Sequence, residues 1–151
     1  MIPEKVRRIL DRHGITALEF APGSTPTAEK AAAQIGVKVA QIAKSILLRG
    51  KGGVYHMVVL RGDRRVSNAK LKRLTGVKHS MASAEETLEQ TGFPPGGVCP
   101  FGIEGIPVYL DRGLGDYGTI YPAAGTDATG VPMTFEQLAE ITGGTVCDIV
   151  D

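Results

Sequence analysis
The chain has 151 residues, enough for one domain with its own core, and its 42% hydrophobic and 22% charged residues are the balance of a folded protein, not a disordered one. A net charge of +1 excludes a protein that coats nucleic acid by bulk charge, while leaving room for a local basic patch. Two cysteines are too few for a disulfide framework, no apolar run reaches the ~18 residues of a membrane span, and the amino terminus has no signal-peptide core, so a single cytoplasmic domain over residues 1–151 is expected.

In chain order, Pro3 sits where a first helical turn tolerates it, Val6, Ile9 and Leu10 share a face, and Gly14 can close the segment. Ile15–Phe20 reads as a strand, and Thr25-Pro26 starts an Ala-rich helix that Gly36 ends. A turn through Val39–Ala43 leads into a strand from Ser45 to Leu48, and Gly50-Lys51-Gly52-Gly53 predicts a hairpin into Val54–Leu60. Ser67 precedes a helix over Asn68–Thr75, Ser83 with Glu86 forms a capping box closed by Gly92, and Thr134 with Gln137 forms another closed by Gly143. Val108–Asp111, Thr119–Tyr121 and Thr145–Val150 are strand-like. Interleaved helices and strands with one tight hairpin predict a mixed α/β fold with a largely antiparallel sheet and surrounding helices.

Chemistry concentrates in two places. Lys44 stands inside the apolar run Gln41-Ile42-Ala43-Lys44-Ser45-Ile46-Leu47-Leu48, where a cation must either snorkel to water or be kept for a purpose. The loop Pro94-Pro95-Gly96-Gly97-Val98-Cys99-Pro100-Phe101-Gly102 offers backbone amides in a fixed shape. One cation and one amide cradle suit an anionic or carbonyl-bearing ligand. His13, His56 and His79 lie far apart in the chain without ligand spacing, so neither metal nor cofactor is expected. Cys99 has no paired base in sequence. Gly113-Leu114-Gly115-Asp116-Tyr117-Gly118 has the letters of a dinucleotide motif but precedes a strand-like stretch, and reads as a turn. Lys51, Arg61, Arg64, Arg65, Lys70, Lys72, Arg73 and Lys78 gather cation in the central third, either as a solvated face or as a track for phosphates.

Several of these segments in order, Ile35-Gly36-Val37, Gln41 to Ser45, Val59-Leu60-Arg61-Gly62-Asp63, Ser83 to Glu86, Thr91-Gly92, Pro95 to Gly102 and Pro107 to Asp111, resemble the YbaK/EbsC family. That family is similar to the editing insertion domain of bacterial prolyl-tRNA synthetase. The resemblance runs from about Thr25 to Asp148 and implies a domain of that fold. It also implies an aminoacyl-tRNA deacylase acting in trans, which removes a small amino acid (Ala, Cys or Ser) from mischarged tRNA, most often tRNA-Pro.

In that reading Lys44 matches the functional lysine, and Gly96, Gly97, Val98, Cys99 and Pro100 match a G-x-x-x-P motif beside the aminoacyl group. Phe20, Thr27, Ile42, Ser45, Phe101, Gly102, Gly125 and Asp127 are the further expected substrate contacts. Ile42, Val98 and Phe101 are expected to form an apolar wall, and Asp127 to hold water or the amino group. Phe20 stands where some branches carry tyrosine and has no hydroxyl to offer. The implied partner is the 3′ aminoacyl end of mischarged tRNA, with an aminoacyl-tRNA synthetase as a further candidate and with no DNA and no membrane. The competing readings are a non-catalytic tRNA- or synthetase-binding module and a small-molecule binder that uses Lys44 for phosphate.

Overall fold
The computed structural model describes residues 2–151, which form five α-helices and eight strands. The first helix, α1 (Glu4–Arg12), follows Pro3 and buries Val6 and Leu10, one turn apart on the same face. The other four are α2 (Ala28–Ile35), α3 (Asn68–Thr75), α4 (Ala84–Thr91) and α5 (Phe135–Thr142). Each opens on a Ser or Thr side chain, at Thr27, Ser67, Ser83 and Thr134, that accepts from an amide three residues on. Each closes on a left-handed glycine, at Gly36, Gly76, Gly92 and Gly143, and one such N-cap is worth about 0.5–2 kcal/mol. Because Thr27 is the cap of α2, Thr25 and Pro26 lie before the helix as a strap.

The strands are β1 (Leu18–Glu19), β2 (Ile42–Gly50), β3 (Tyr55–Arg61), β4 (His79–Met81), β5 (Val108–Asp111), β6 (Tyr121–Pro122), β7 (Thr129–Gly130) and β8 (Thr145–Cys147). The main sheet runs β4-β2-β3-β5-β8, with β6 also on β2, and β1 pairs separately with β7. The β2–β3 hairpin and the β2–β4 pair are antiparallel and give the sheet its longest ladder, while β6, β5 and β8 join in parallel. The expected strand over Ile15–Phe20 shrinks to two residues, and β4 and β7 answer to no sequence signal. Such short segments become strands only because a long neighbour supplies the partners. Arg112–Asp116 forms a 3-10 turn, in keeping with the turn reading of its glycines.

Helices cover both faces of the sheet, so the central strand β3 has no exposed surface from Met57 to Leu60. Alternation sends Val59 to the main core with Val6, Phe93, Phe101 and Leu138, and Val58 and Leu60 to a smaller core under Leu71 of α3. A third cluster joins Ile42 to Ala31 and Ala32 of α2.

Sequence distance misleads for two histidines. Register places Leu48 opposite His56 on one side and Gly50 opposite His79 on the other, so the two rings meet with Nε2 of His79 2.7 Å from Nδ1 of His56. Burial lowers both below the usual 6.5, and the charge of His79 lowers His56 further. A lowered histidine binds fewer protons folded than unfolded. Stability is therefore intact above pH 6.5 and declines as pH falls from there through the folded values. The expected result is a falling urea midpoint between about pH 7.5 and pH 5, with His79→Gln flattening part of that slope.

Candidate functional site
Lys44 is placed by β2. A strand repeats every second residue, so Ile42, Lys44 and Ile46 share one face, and they line a cavity of about 340 Å³, the size of a small-ligand site. Above them lie Ala28 and Ala31 of α2, whose short side chains leave the space open. Pro26 and Thr27 of the strap close one side, Met81 of β4 another, and Tyr121 with Thr129 a third. Gly96 and Val98 supply the glycine-loop wall.

The Lys44 ammonium is half-buried and donates to the carbonyl of Gly62 at 3.4 Å. Burial lowers its pKa below the usual 10.5, Glu29 and Asp63 pull it back up, and Arg65 lowers it again. With one long hydrogen bond, two of its three donors stay available to a ligand. Gly62 must be glycine: a Cβ there would lie 2.5 Å from the Val39 carbonyl and 3.1 Å from Cβ of Ile42. Beside Lys44, the hydroxyl of Ser45 is enclosed and has no hydrogen-bond partner among the described residues. An enclosed hydroxyl without a partner is uncommon in a folded protein.

The glycine loop is held from both sides. Gly96, at φ +83°, abuts Pro26, and a Cβ on Gly97 would lie 2.8 Å from Cα of Thr126. The amide of Gly97 is already used, donating to the Pro94 carbonyl at 3.0 Å to close the turn. The amides of Gly96 and Val98 have no protein partner among the described residues, and these flank the cavity.

Of the expected contacts, Thr27, Ile42, Lys44, Ser45, Gly96 and Val98 meet around one cavity. The rest lie elsewhere. Past Val98 the chain turns inward beneath α1, so Cys99 and Phe101 are wholly inside the main core. Pro100 and Gly102 border a separate groove with Ile9 and Ile141, and a Cβ on Gly102 would lie 3.2 Å from Cδ of Lys5. Burial pushes the Cys99 thiol up to about 12, which leaves it unreactive. Phe20 donates its amide to the Ala128 carbonyl without lining the cavity.

Gly125 packs against Pro3 and Phe93, and Gly97 is a spacer against Thr126. Asp127 is a clasp: its carboxylate accepts from the Gly23 amide at 3.1 Å and its carbonyl from the Thr25 amide at 2.6 Å. Together with the Thr129 amide donating to the Thr25 hydroxyl, these bonds fasten the strap that walls the cavity. Gly62, Met81, Tyr121 and the strap residue Pro26 are site residues that sequence reasoning missed. Only Gly62 carried a signal, as a glycine ending a strand.

The profile of the aminoacyl-tRNA editing domain matches residues 23–141. "Uncharacterized protein YwhH" of Bacillus subtilis (strain 168) is 42% identical over 120 residues, 79% of this chain and 76% of that protein. The proline–tRNA ligase of Thermosipho melanesiensis is 36% identical over 89 residues, which are 58% of this chain but only 16% of the ligase. Among solved structures, one titled as a candidate trans-editing enzyme for prolyl tRNA synthetase superposes with a TM-score of 0.87 at 34% identity, covering 100% of this chain and 99% of that one. The profile spans α2, the Lys44 strand, the glycine loop and the strap's partners alike, and the chain belongs to the aminoacyl-tRNA editing domain family.

Proposed function
We propose that the protein is a deacylase that acts in trans and hydrolyses the ester joining a small amino acid, Ala, Ser or Cys, to the 3′ end of a mischarged tRNA, tRNA-Pro being the favoured carrier. The observation that supports this best is the Lys44 ammonium in a small, largely apolar cavity beside two unpartnered amides. Water adds to the ester carbonyl, the carbon–oxygen bond to the ribose breaks, and the products are a free amino acid and a ribose hydroxyl. Negative charge gathers on the carbonyl oxygen during addition. Lys44 and the amides of Gly96 and Val98, which have no partner among the described residues, are the donors we assign to stabilising it.

No carboxylate or imidazole lines the cavity among the described residues. The proton from water is therefore taken by the substrate itself, through its vicinal ribose hydroxyl or its α-amino group. The need for the reaction follows from the limits of recognition: a synthetase pocket distinguishes one methylene by only ~1–3 kcal/mol, so a second site must remove smaller intruders.

Side-chain size is the expected filter, with Ile42, Ile46 and Val98 as the wall. Initial rates on tRNA charged with Ala, Ser, Cys, Pro or Val are expected to be high for the small residues and low for Val. Val98→Ala is expected to raise the Val rate by about 10-fold or more, the scale of one apolar contact. Equal rates across the series would remove the size filter. Absence of ester loss with every charged tRNA would leave the non-catalytic binding module as the better reading.

A further inference from the structure
A second feature lies at the far end of β2. The hairpin Gly50–Gly53 folds beside β4, and Lys51, Lys78, His79 and Ser80 line a notch of about 360 Å³. The hairpin is fixed in shape. Gly52 and Gly53 hold φ of +93° and +84°, the Lys51 amide donates to the Lys78 carbonyl at 2.8 Å, and a Cβ on Gly50 would lie 2.8 Å from Cγ2 of Val54. Lys51, just past the end of β2, and Lys78, just before β4, are thereby held on one rim.

The other six cations of the central third lie outside the notch, and two of them are paired. Arg61 is paired with Asp63 and Asp116, and Lys70 with Asp148. Arg49, also at the notch, lies 3.8 Å from Glu86 of α4, so the acidic helix bounds the patch on that side. Lys51 and Lys78 are exposed and have no acidic partner among the described residues.

The notch and the Lys44 cavity are joined by consecutive residues of β4. His79 and Ser80 line the notch, and the next residue, Met81, lines the cavity. Lys51, one residue past the end of β2, is seven residues from Lys44, roughly 20 Å at the rise of a strand. Unpaired lysines at that distance, beside the end of the edge strand that leads out of the cavity, match a polyanion whose end is in the cavity.

We propose that the Lys51–Lys78 notch binds backbone phosphates of the RNA acceptor arm while the aminoacyl end occupies the Lys44 cavity. This rests on the deacylase reading, and the two are separated by experiment. The variant is Lys51→Gln with Lys78→Gln. Uncharged tRNA binding is measured across a salt series, and hydrolysis is measured on charged tRNA and on an aminoacyl ester of adenosine alone.

The double variant is expected to bind tRNA about 10-fold more weakly at low salt, with a log–log salt slope smaller by about 2, one for each phosphate that the missing lysines leave unneutralised. KM for charged tRNA rises while kcat holds, and the adenosine ester, too short to reach the notch, is hydrolysed as by the parent. Parent-like tRNA affinity and salt slope would overturn the proposal, as would an equal loss on both substrates, which would point to a structural effect. Retained tRNA binding with loss of an acidic partner protein would overturn it in favour of a protein interface. Should no ester be hydrolysed by the parent, the deacylase reading fails while the uncharged tRNA series still decides the notch.

Discussion

Lys44→Met is expected to slow deacylation by about 10²–10³-fold, the effect of removing one donor aimed at a developing oxyanion. The same change is expected to leave the fold as stable as the parent or more so. Burial holds the Lys44 pKa below 10.5, so near neutral pH the folded chain carries an ammonium that the unfolded chain would carry more easily. That burden is lifted only as pH rises toward 10.5, and methionine lifts it at every pH. Single-turnover hydrolysis and urea denaturation of the two proteins check both halves. Parent-like rates would remove Lys44 from the chemistry, and a large loss of stability would make it a structural lysine.

Gly62→Ala is the second large effect, and it is expected to lower stability and activity together. A methyl group would lie 2.5 Å from the Val39 carbonyl and 3.0 Å from Cβ of Ala28, and the nearer neighbour is backbone. Overpacking of this kind costs about 1–3 kcal/mol, and relief requires moving the segment whose carbonyl receives Lys44. Gly118→Ala is the control, since its Cβ would meet nothing within 4 Å. Urea midpoints of the three proteins, with rates measured where all are folded, separate the outcomes. A Gly62→Ala protein matching the control would show that the close approach at Gly62 is not rigid.

What was legible in the sequence follows from how local each signal is. Helix caps are local, and Ser67, Ser83 and Thr134 begin their helices as their side chains dictate, whereas the helix expected from Thr25-Pro26 starts on the cap Thr27. The glycine hairpin is local too, and it sets the β2–β3 ladder. The cavity is not. Met81 and Tyr121 reach it only through strand pairing, β4 and β6 both adding to β2, and nothing in the letters of either short strand announces that partner. His56 and His79 became neighbours for the same reason.

The G-x-x-x-P stretch illustrates the opposite failure. The motif residues, and Phe101 after them, are expected beside the aminoacyl group, and in the structure Gly96 and Val98 line the cavity while Cys99 and Phe101 are wholly buried. A motif marks a segment whose residues are needed, without saying which are needed for packing. Asp127 is expected to hold water or the amino group, and in the structure its carboxylate and carbonyl accept from the Gly23 and Thr25 amides.

Ester hydrolysis at Lys44 is the central claim. The most direct measurement follows release of labelled amino acid from alanyl-, seryl- and cysteinyl-tRNA-Pro under excess protein, with prolyl-tRNA-Pro as the cognate control and the Lys44→Met protein run in parallel. Rapid release from at least one mischarged tRNA, little from the cognate, and loss of that release in the variant is the predicted result. Equal release by parent and variant, or none above the uncatalysed rate, would contradict it.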